Sequence, residues 1–553
     1  MTVAAADAGV VAPRKLLLVI IASTAGTAFE WYDFFIFGSL APIIAKQFFA
    51  GVNDTAAFIF ALLTFGAGFA VRPLGALVFG RIGDRIGRKY AFLATITIMG
   101  VATFAVGLLP TYMQVGIYSP LILVAMRMLQ GFAIGGEYGG AAIYVAEHTP
   151  HKDRGLQTSW IQASAIVGLL AALIIILGTR LVLGESTFDA WGWRVPFLLS
   201  LALFLGSLWV RLKLEESPAF RKIVAEGTAS KAPLRESFLR WKNLKIVLIA
   251  LFGLLCAQGV GWYTSYFYTQ FFLEHVLKVE PATANVMMMA AVAASGVLYL
   301  IFGWLSDFVG RKPIMLLGIV LMAACLFPLF HALTAAANPA LAAAQARAPV
   351  TVTADPNSCS LQFDPVGKAQ FASSCDIAKG ALASAGVSYR NASASSGTLA
   401  TVRIGGVEMV SIEGRGMAKP DLASAKTQFA AKLKAALAAA GYPEKADPAS
   451  IDTRRVVGIL LLLMTFSAML YGPMAAALVE LFPTRIRYSA LSFPYHLGIG
   501  WFGGFLPATV FAMVAASGDI YFGLWYPVVV SAISAVVMLL YFPETRKRDI
   551  DAV

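Results

Sequence analysis

Gly80-Arg81-Ile82-Gly83-Asp84-Arg85-Ile86-Gly87-Arg88-Lys89 and Gly303-Trp304-Leu305-Ser306-Asp307-Phe308-Val309-Gly310-Arg311-Lys312 carry one pattern twice, G-x-x-x-D-x-x-G-R-K. Each copy follows a long apolar run. Glycine suits a tight turn where the backbone comes close or φ is positive. Asp at a helix end and Arg/Lys beyond it can pair with neighbouring helix ends. A second pattern is also duplicated: Glu147-x-x-Pro150-x-x-x-Arg154 and Glu480-x-x-Pro483-x-Arg485-x-Arg487. The interval from Asp307 to Glu480 exceeds that from Asp84 to Glu147 by one insertion. Without it the chain is two matching halves.

Outward from the motifs the sequence is apolar. It has 553 residues, 58% hydrophobic and 13% charged, against about 25% charged in an average soluble domain. Spanning helices need roughly 20 mostly apolar residues. Such runs fall at 16–45, 56–81, 90–110, 118–147, 155–181, 192–212, 245–273, 283–306, 313–334, 455–481, 487–515 and 520–542. Nothing alternates as barrel strands would. The expected fold is an all-α membrane protein of twelve transmembrane helices in two pseudo-symmetric six-helix halves. Residues 1–213 form the first half, 214–244 a cytoplasmic central loop, and 245–334 with 454–553 the second half. Residues 335–453 form an inserted soluble domain.

Arg14 and Lys15 precede the first run, which reads as a helix with a cytoplasmic N-terminus rather than a cleaved signal. With that orientation the cytoplasmic segments hold most of the Lys/Arg, including the stretch from Arg211 to Lys245. The short outer loops hold only Lys46, Arg180 and Lys278. This is a positive-inside pattern. It accounts for the net charge of +12 without invoking nucleic acid, which would need a basic soluble face.

The duplicated loop resembles that of major facilitator transporters. Phe29-Glu30-Trp31-Tyr32-Asp33-Phe34 resembles the signature of their metabolite:proton symporter branch, as do Arg72-Pro73-Leu74-Gly75 and Arg127-x-x-Gln130-Gly131-x-x-x-Gly135-Gly136-Glu137. The resemblance covers the chain outside the insert. It implies import of carboxylates, shikimate-like acids, proline or betaines, usually with a proton. It also implies alternating access, with a site between helices 1, 4, 7 and 10 at mid-membrane.

Ionisable groups inside a membrane are costly and face the bundle interior or a cavity. Glu30, Asp33 and Glu137, with His496, are the proton-coupling candidates. Arg72, Arg127, Gln130, Tyr138, Gln162, Gln258, Tyr263, Tyr266, Tyr471 and Tyr495 are the substrate-binding candidates. Arg127 and Glu137 stand about 15 Å apart along one helix, so each needs a partner elsewhere. The run from Gln258 to Gln270 is too polar and aromatic for a lipid-facing helix, and it offers a dry wall with hydrogen-bonding tips. Gly131, Gly135 and Gly139 read as close helix packing. A cytoplasmic gate is expected from Asp84, Arg85, Arg88, Glu147, Asp307, Arg311, Glu480 and Arg485.

The insert reads as a small periplasmic α/β domain. Strand-like runs fall at Val350–Thr353, Ser360–Phe363, Leu399–Ile404 and Glu408–Ile412, and helix-like runs at Phe371–Ala385 and Ser424–Ala440. Cys359 and Cys375 should form a disulfide in an oxidising compartment. Cys256 and Cys325 lie in helices. No catalytic constellation, metal cluster or cofactor site is expected, so the reading is a transporter and not an enzyme. The expected protein is a monomer of the bacterial inner membrane that takes up a small organic acid with protons. Two arginines, and a chain ending soon after helix 12, favour a di- or tricarboxylate over a proline/betaine-type zwitterion. Proton antiport is a remoter alternative.

Overall fold

The structure is a computed structural model that describes residues 13–50, 54–360, 371–548 and 550. Its long helical stretches, labelled in chain order, are α1 (Pro13–Ser39), α2 (Asp54–Arg85), α3 (Arg88–Leu108), α4 (Tyr118–His148), α5 (Arg154–Leu183) and α6 (Arg194–Leu212). After the linker come α7 (Trp241–Val276), α8 (Pro281–Val309), α9 (Arg311–Ala337) and α10 (Thr453–Leu481). The interrupted α11 (Arg487–Leu497 and Leu506–Ser517) and α12 (Trp525–Tyr541) complete the series. Among the described residues nine helices are long and apolar enough to cross a membrane. A tenth arises if α1 and the short Ala41–Phe48, bent by 65° from it, count as one span.

Within the first six helices α1 packs on α5, and α2 and α3 pack on α4. At Gly131 of α4 a side chain would strike the backbone of Gly68 in α2, so the glycine spacing on α4 sets a close crossing. Within the last six, α8 and α9 pack on α10. The two groups meet along α2 against α11 and α5 against α8.

Two helices depart from regular geometry. π-helical turns interrupt α7 at Leu251–Leu255, Thr264–Tyr268 and Phe272–Val276. Another interrupts α11 at Gly498–Gly503. Pro494, Gly498, Gly500, Gly503 and Gly504 explain α11, because proline and clustered glycine weaken the hydrogen-bond ladder.

The motif loops, between α2 and α3 and between α8 and α9, lie at one end of the bundle, the motif end. The insert follows the opposite end of α9. It holds a four-stranded sheet of order β2-β1-β3-β4: β1 (Val350–Ala354), β2 (Tyr389–Ser393), β3 (Thr401–Ile404) and β4 (Val407–Val410). β1 and β2 are parallel, with Val350 opposite Tyr389, and the helix Ser374–Ala385 makes the crossover that parallel strands require. β3 and β4 form a hairpin around Gly405-Gly406, a pair that accepts such a turn readily. A second helix, Lys419–Ala439, follows. The α/β character, the disulfide Cys359–Cys375 and three of the strand-like runs agree with the sequence. Leu361 to Phe363 of the Ser360–Phe363 run lie outside the described residues. The polar strand β2, exposed from Arg390 on, has no apolar alternation and was not legible.

Candidate functional site

A small cavity of about 40 Å³ lies between α1, α2, α7, α10 and α11, where Glu30, Arg72, Gln258, Tyr263, Tyr471 and His496 meet. Its polar lining is under-satisfied. Gln258 is 1% exposed, yet neither its Nε2 nor its Oε1 has a partner. His496 Nε2 and Arg72 Nε are likewise buried without one. Among the described residues the Arg72 guanidinium and the Glu30 carboxylate make neither a hydrogen bond nor an ion pair. Buried polar groups are nearly always paired, so a cluster of orphans around one cavity marks a place that something else fills. Room for a water takes roughly 10–15 Å³, so this chamber admits about three waters and no larger solute until its walls part.

Aromatic rings close the chamber toward the insert end. Trp31 of α1 meets Trp262 of α7 at 5.1 Å between centroids, and Phe34 meets Phe267 at 5.9 Å. Beyond them opens a vestibule of about 800 Å³. Trp31, Phe34 and Trp262 border both spaces, which makes them the partition. Tyrosines close the other side. The Tyr495 ring stacks on Tyr138 at 3.8 Å, the Tyr471 and Tyr495 hydroxyls share a hydrogen bond of 2.9 Å, and Gln162 Nε2 donates to Tyr138 at 2.9 Å and to the Tyr471 carbonyl at 3.3 Å. Both closures cross from the first six helices to the last six.

Two buried ion pairs flank the chamber. Arg127 Nη1 donates to Asp33 Oδ2 at 2.9 Å. Gln130 and Thr103 both donate to Asp33 Oδ1, at 2.8 and 2.9 Å. Glu137 is held by Arg211 and by Thr95 Oγ1 at 2.8 Å. Gly26 makes this second pair possible, since a side chain there would collide with the Arg211 guanidinium and Glu137. Asp33, Arg127, Gln130 and Glu137 therefore bind protein and do not line the chamber. Tyr266 is bonded to Tyr299 and Ser295 and faces the vestibule. Glu30, Arg72, Gln258, Tyr263, Tyr471, Tyr495 and His496 are the nominated residues that converge on the chamber. Arg211, assigned by sequence to a cytoplasmic loop, is 0% exposed inside the last turn of α6. An arginine beside a loop carries no local sign that its partner is a glutamate on another helix.

The motif end is closed by charge. Asp84 accepts the backbone N–H groups of Tyr488 and Ser489 at 3.0 and 2.8 Å, capping α11 from the other half. Asp307 accepts those of Gly155 and Leu156, both at 2.8 Å, and so caps α5. A carboxylate at a helix N-terminus meets unpaired donors and the positive end of the helix dipole. Each aspartate also binds the arginine of its own motif, Arg88 or Arg311. Glu147 then takes Arg487 at 2.6 Å and has Arg88 at 3.9 Å. Glu480 takes Arg311 and Arg154 at 3.2 and 3.3 Å. Each glutamate thus sits between an arginine of its own half and one of the other half. Arg85 is exposed beyond this network, and the half-exposed Arg485 reaches Glu236 at 3.5 Å. Arg154 and Arg487, equally spaced after their glutamates, occupy the position the sequence reading gave to Arg485. Glu216 and Glu544 were missed. They accept the backbone N–H groups that begin α3 and α9, from Arg88 at 3.1 Å and Arg311 at 3.0 Å. Their signal was available as a Glu-Ser/Thr pair after each half's sixth helix.

The sequence profile of the sugar (and other) transporter family matches residues 18–236, 221–352 and 384–553. The chain belongs to that family. It is a helical protein of the major facilitator superfamily, with apolar helices long enough to cross a membrane several times. The proline/betaine transporter of Salmonella typhimurium is 35% identical to it over 336 residues, 59% of this chain and 66% of that protein. The glycine betaine/proline/ectoine/pipecolic acid transporter OusA of Dickeya dadantii is 37% identical over 327 residues, 57% and 64%. The chain thus spans just under two thirds of these relatives. The shikimate transporter of Escherichia coli (strain K12) is 34% identical over 337 residues, 60% of this chain and 75% of that protein. Among solved structures, the proton:xylose symporter XylE has a TM-score of 0.61 at 15% identity, covering 97% of this chain and 98% of that one. A double-tryptophan XylE variant reaches 0.64 over the same shares. This likeness is one of fold.

Proposed function

We propose that this transporter is a proton-coupled symporter of a small zwitterion of the proline or betaine type, working by alternating access across twelve spans. One observation carries the reading: the chamber holds a carboxylate, Glu30, and a guanidinium, Arg72, neither hydrogen-bonded to protein, inside a wall of Trp31, Trp262 and Tyr263. Arg72 suits the carboxylate of a zwitterion. Glu30 and the indole faces suit its ammonium, quaternary or not. Arg127 is held by Asp33, so a di- or tricarboxylate would meet one arginine where two were expected. The names of two relatives point the same way. The shikimate relative keeps a monocarboxylate as the second reading, which requires Glu30 to be protonated when the acid binds.

Proton coupling is assigned to Glu30 within the chamber, and to Asp33 and Glu137 through their ion pairs. A proton on either carboxylate would release its arginine and loosen the helices it ties. In the inner membrane the motif end and both termini lie in the cytoplasm and the insert in the periplasm, since the Arg/Lys-rich loops share one side. The charge network is then the cytoplasmic gate, closed while the vestibule faces out. Binding of labelled proline, glycine betaine and shikimate to purified protein tests the chamber. Zwitterions that bind, and are lost in Arg72→Ala and Glu30→Gln alike, support it. Shikimate binding retained in Glu30→Gln with no zwitterion binding would move the assignment to the second reading.

A further inference from the structure

The insert is fastened to the bundle at two places, and every described hydrogen bond between them ends on the second half. The first is the tip of α7. Lys278 Nζ donates to the Ser384 carbonyl at 2.9 Å and Ala446 N to the Lys278 carbonyl at 2.9 Å. Gly386 lies so close to Val276 that a side chain would strike its backbone. The second is the turn between α11 and α12. There Tyr389 N donates to the Gly518 carbonyl at 2.6 Å, its hydroxyl donates to the Ala515 carbonyl, and Asn391 Nδ2 donates to the Ser517 carbonyl at 2.8 Å. Ile520 N donates to Ser388 Oγ at 3.4 Å. Tyr389 is 5% exposed.

The two fastenings are adjacent in sequence. Gly386-Val387-Ser388-Tyr389 spans from one to the other. It is anchored by the end of the helix Ser374–Ala385 on one side and by the first ladder position of β2 on the other. The helices it joins are the two with π-helical turns beside the chamber: Thr264–Tyr268 just after Trp262 and Tyr263, and Gly498–Gly503 just after Tyr495 and His496. A π turn is a local defect where a helix bends easily. The two helices also pack on each other, Gly259 against Gly498 and Phe272 against Tyr521 at 6.0 Å between ring centroids, and the insert adds hydrogen bonds to both tips.

We propose that the insert is a clamp that holds the tips of α7 and α11 at a fixed separation, so that the chamber wall made by the second half swings as one jaw, with Tyr389 as its positioning residue. The clamp replaces two flexible hinges by one shared motion. It rests on the alternating-access reading above. It also differs from a cap over the mouth, because no described hydrogen bond reaches the first half.

Spin labels on the full-length chain in lipid test this, with Cys256→Ser and Cys325→Ser leaving the disulfide pair intact. His275→Cys, exposed in the last turn of α7, with Phe522→Cys in the turn after α11 reports the two tips. Phe522→Cys with Val182→Cys reports the jaw against the first half. As substrate and protons are added, the 522–182 distance should change while 275–522 stays fixed. In Tyr389→Phe combined with Asn391→Ala, the 275–522 distribution should broaden and turnover should fall severalfold, with equilibrium substrate affinity unchanged. A 275–522 distance that changes with substrate in the parent protein overturns the clamp, as does one that keeps its parent width in the double variant. A 522–182 distance that never changes overturns the rocking motion itself, and is thereby told apart from a failed clamp.

Discussion

At the motif end, Asp84 caps α11, Asp307 caps α5, and Glu147 and Glu480 each sit between two arginines. At the insert end, four aromatic rings close the chamber, and every described hydrogen bond from the folded domain to the bundle ends on one half. The first closure is duplicated and charged, the second single and largely apolar. The difference follows from what each must do. Buried charges lose their partners when the halves separate, so each broken contact is expensive and the closed state is strongly favoured until something compensates. Ring contacts are individually weak and do not depend on a partner's charge, so they part for a solute that offers comparable surface. The duplication gives the charged end two locks of similar strength, whereas the insert gives the aromatic end a stiff backing on one side only.

The largest effect is expected at the charged end. Glu480→Gln leaves Arg154 and Arg311 short of a buried partner, a loss of about 3–5 kcal/mol for breaking such a pair. Uptake should fall by more than an order of magnitude, and a thiol probe should reach the motif end without substrate. Asp84→Asn should slow transport in the same way while leaving substrate affinity intact. Parent rates in both would remove the charge network as a gate. Next comes the chamber between the ends. Arg72→Ala removes a charge-assisted hydrogen bond worth about 1.5–3 kcal/mol, so affinity measured by equilibrium binding should drop roughly 10- to 100-fold. Smaller again is the aromatic partition. Trp262→Ala loses ring pairs worth about 0.5–1.5 kcal/mol each, which should open the chamber to the vestibule and speed substrate dissociation with little change at the motif end. Slower dissociation would show that the partition does not guard the chamber. The smallest effect belongs to Arg485→Ala, because Arg485 is half-exposed and its pair with the partly buried Glu236 is 3.5 Å long, whereas pairs open to solvent contribute about 0–1 kcal/mol. Uptake close to the parent value is expected, and a loss as large as that of Glu480→Gln would place Arg485 in the lock after all.

The fold was legible because duplication and hydropathy are long signals. The G-x-x-x-D-x-x-G-R-K repeat marks the motif end, and the broken periodicity after α9 marks the segment that holds the sheet. The chamber was legible in part. Glu30, Arg72, Gln258, Tyr263 and Tyr471 stand out as polar residues in apolar runs, and they do meet there. What sequence could not give was pairing. Asp33 and Arg127 look as available as Glu30 and Arg72 until their distance of 2.9 Å is seen, and that single contact reverses the preference between a di- or tricarboxylate and a zwitterion. Arg211 was hidden for the same reason, being separated in sequence from Glu137 and Gly26. Arg487 was passed over for Arg485 although its spacing from Glu480 equals that of Arg154 from Glu147.

The central claim is proton-driven uptake of a zwitterion through the Glu30–Arg72 chamber. The most direct measurement is uptake of labelled proline and glycine betaine into proteoliposomes under an inward proton gradient, with labelled shikimate alongside. Accumulation of a zwitterion above its outside concentration, abolished by an uncoupler and by Arg72→Ala, is the predicted result. Accumulation of shikimate alone, or release of preloaded solute as protons enter, would contradict it.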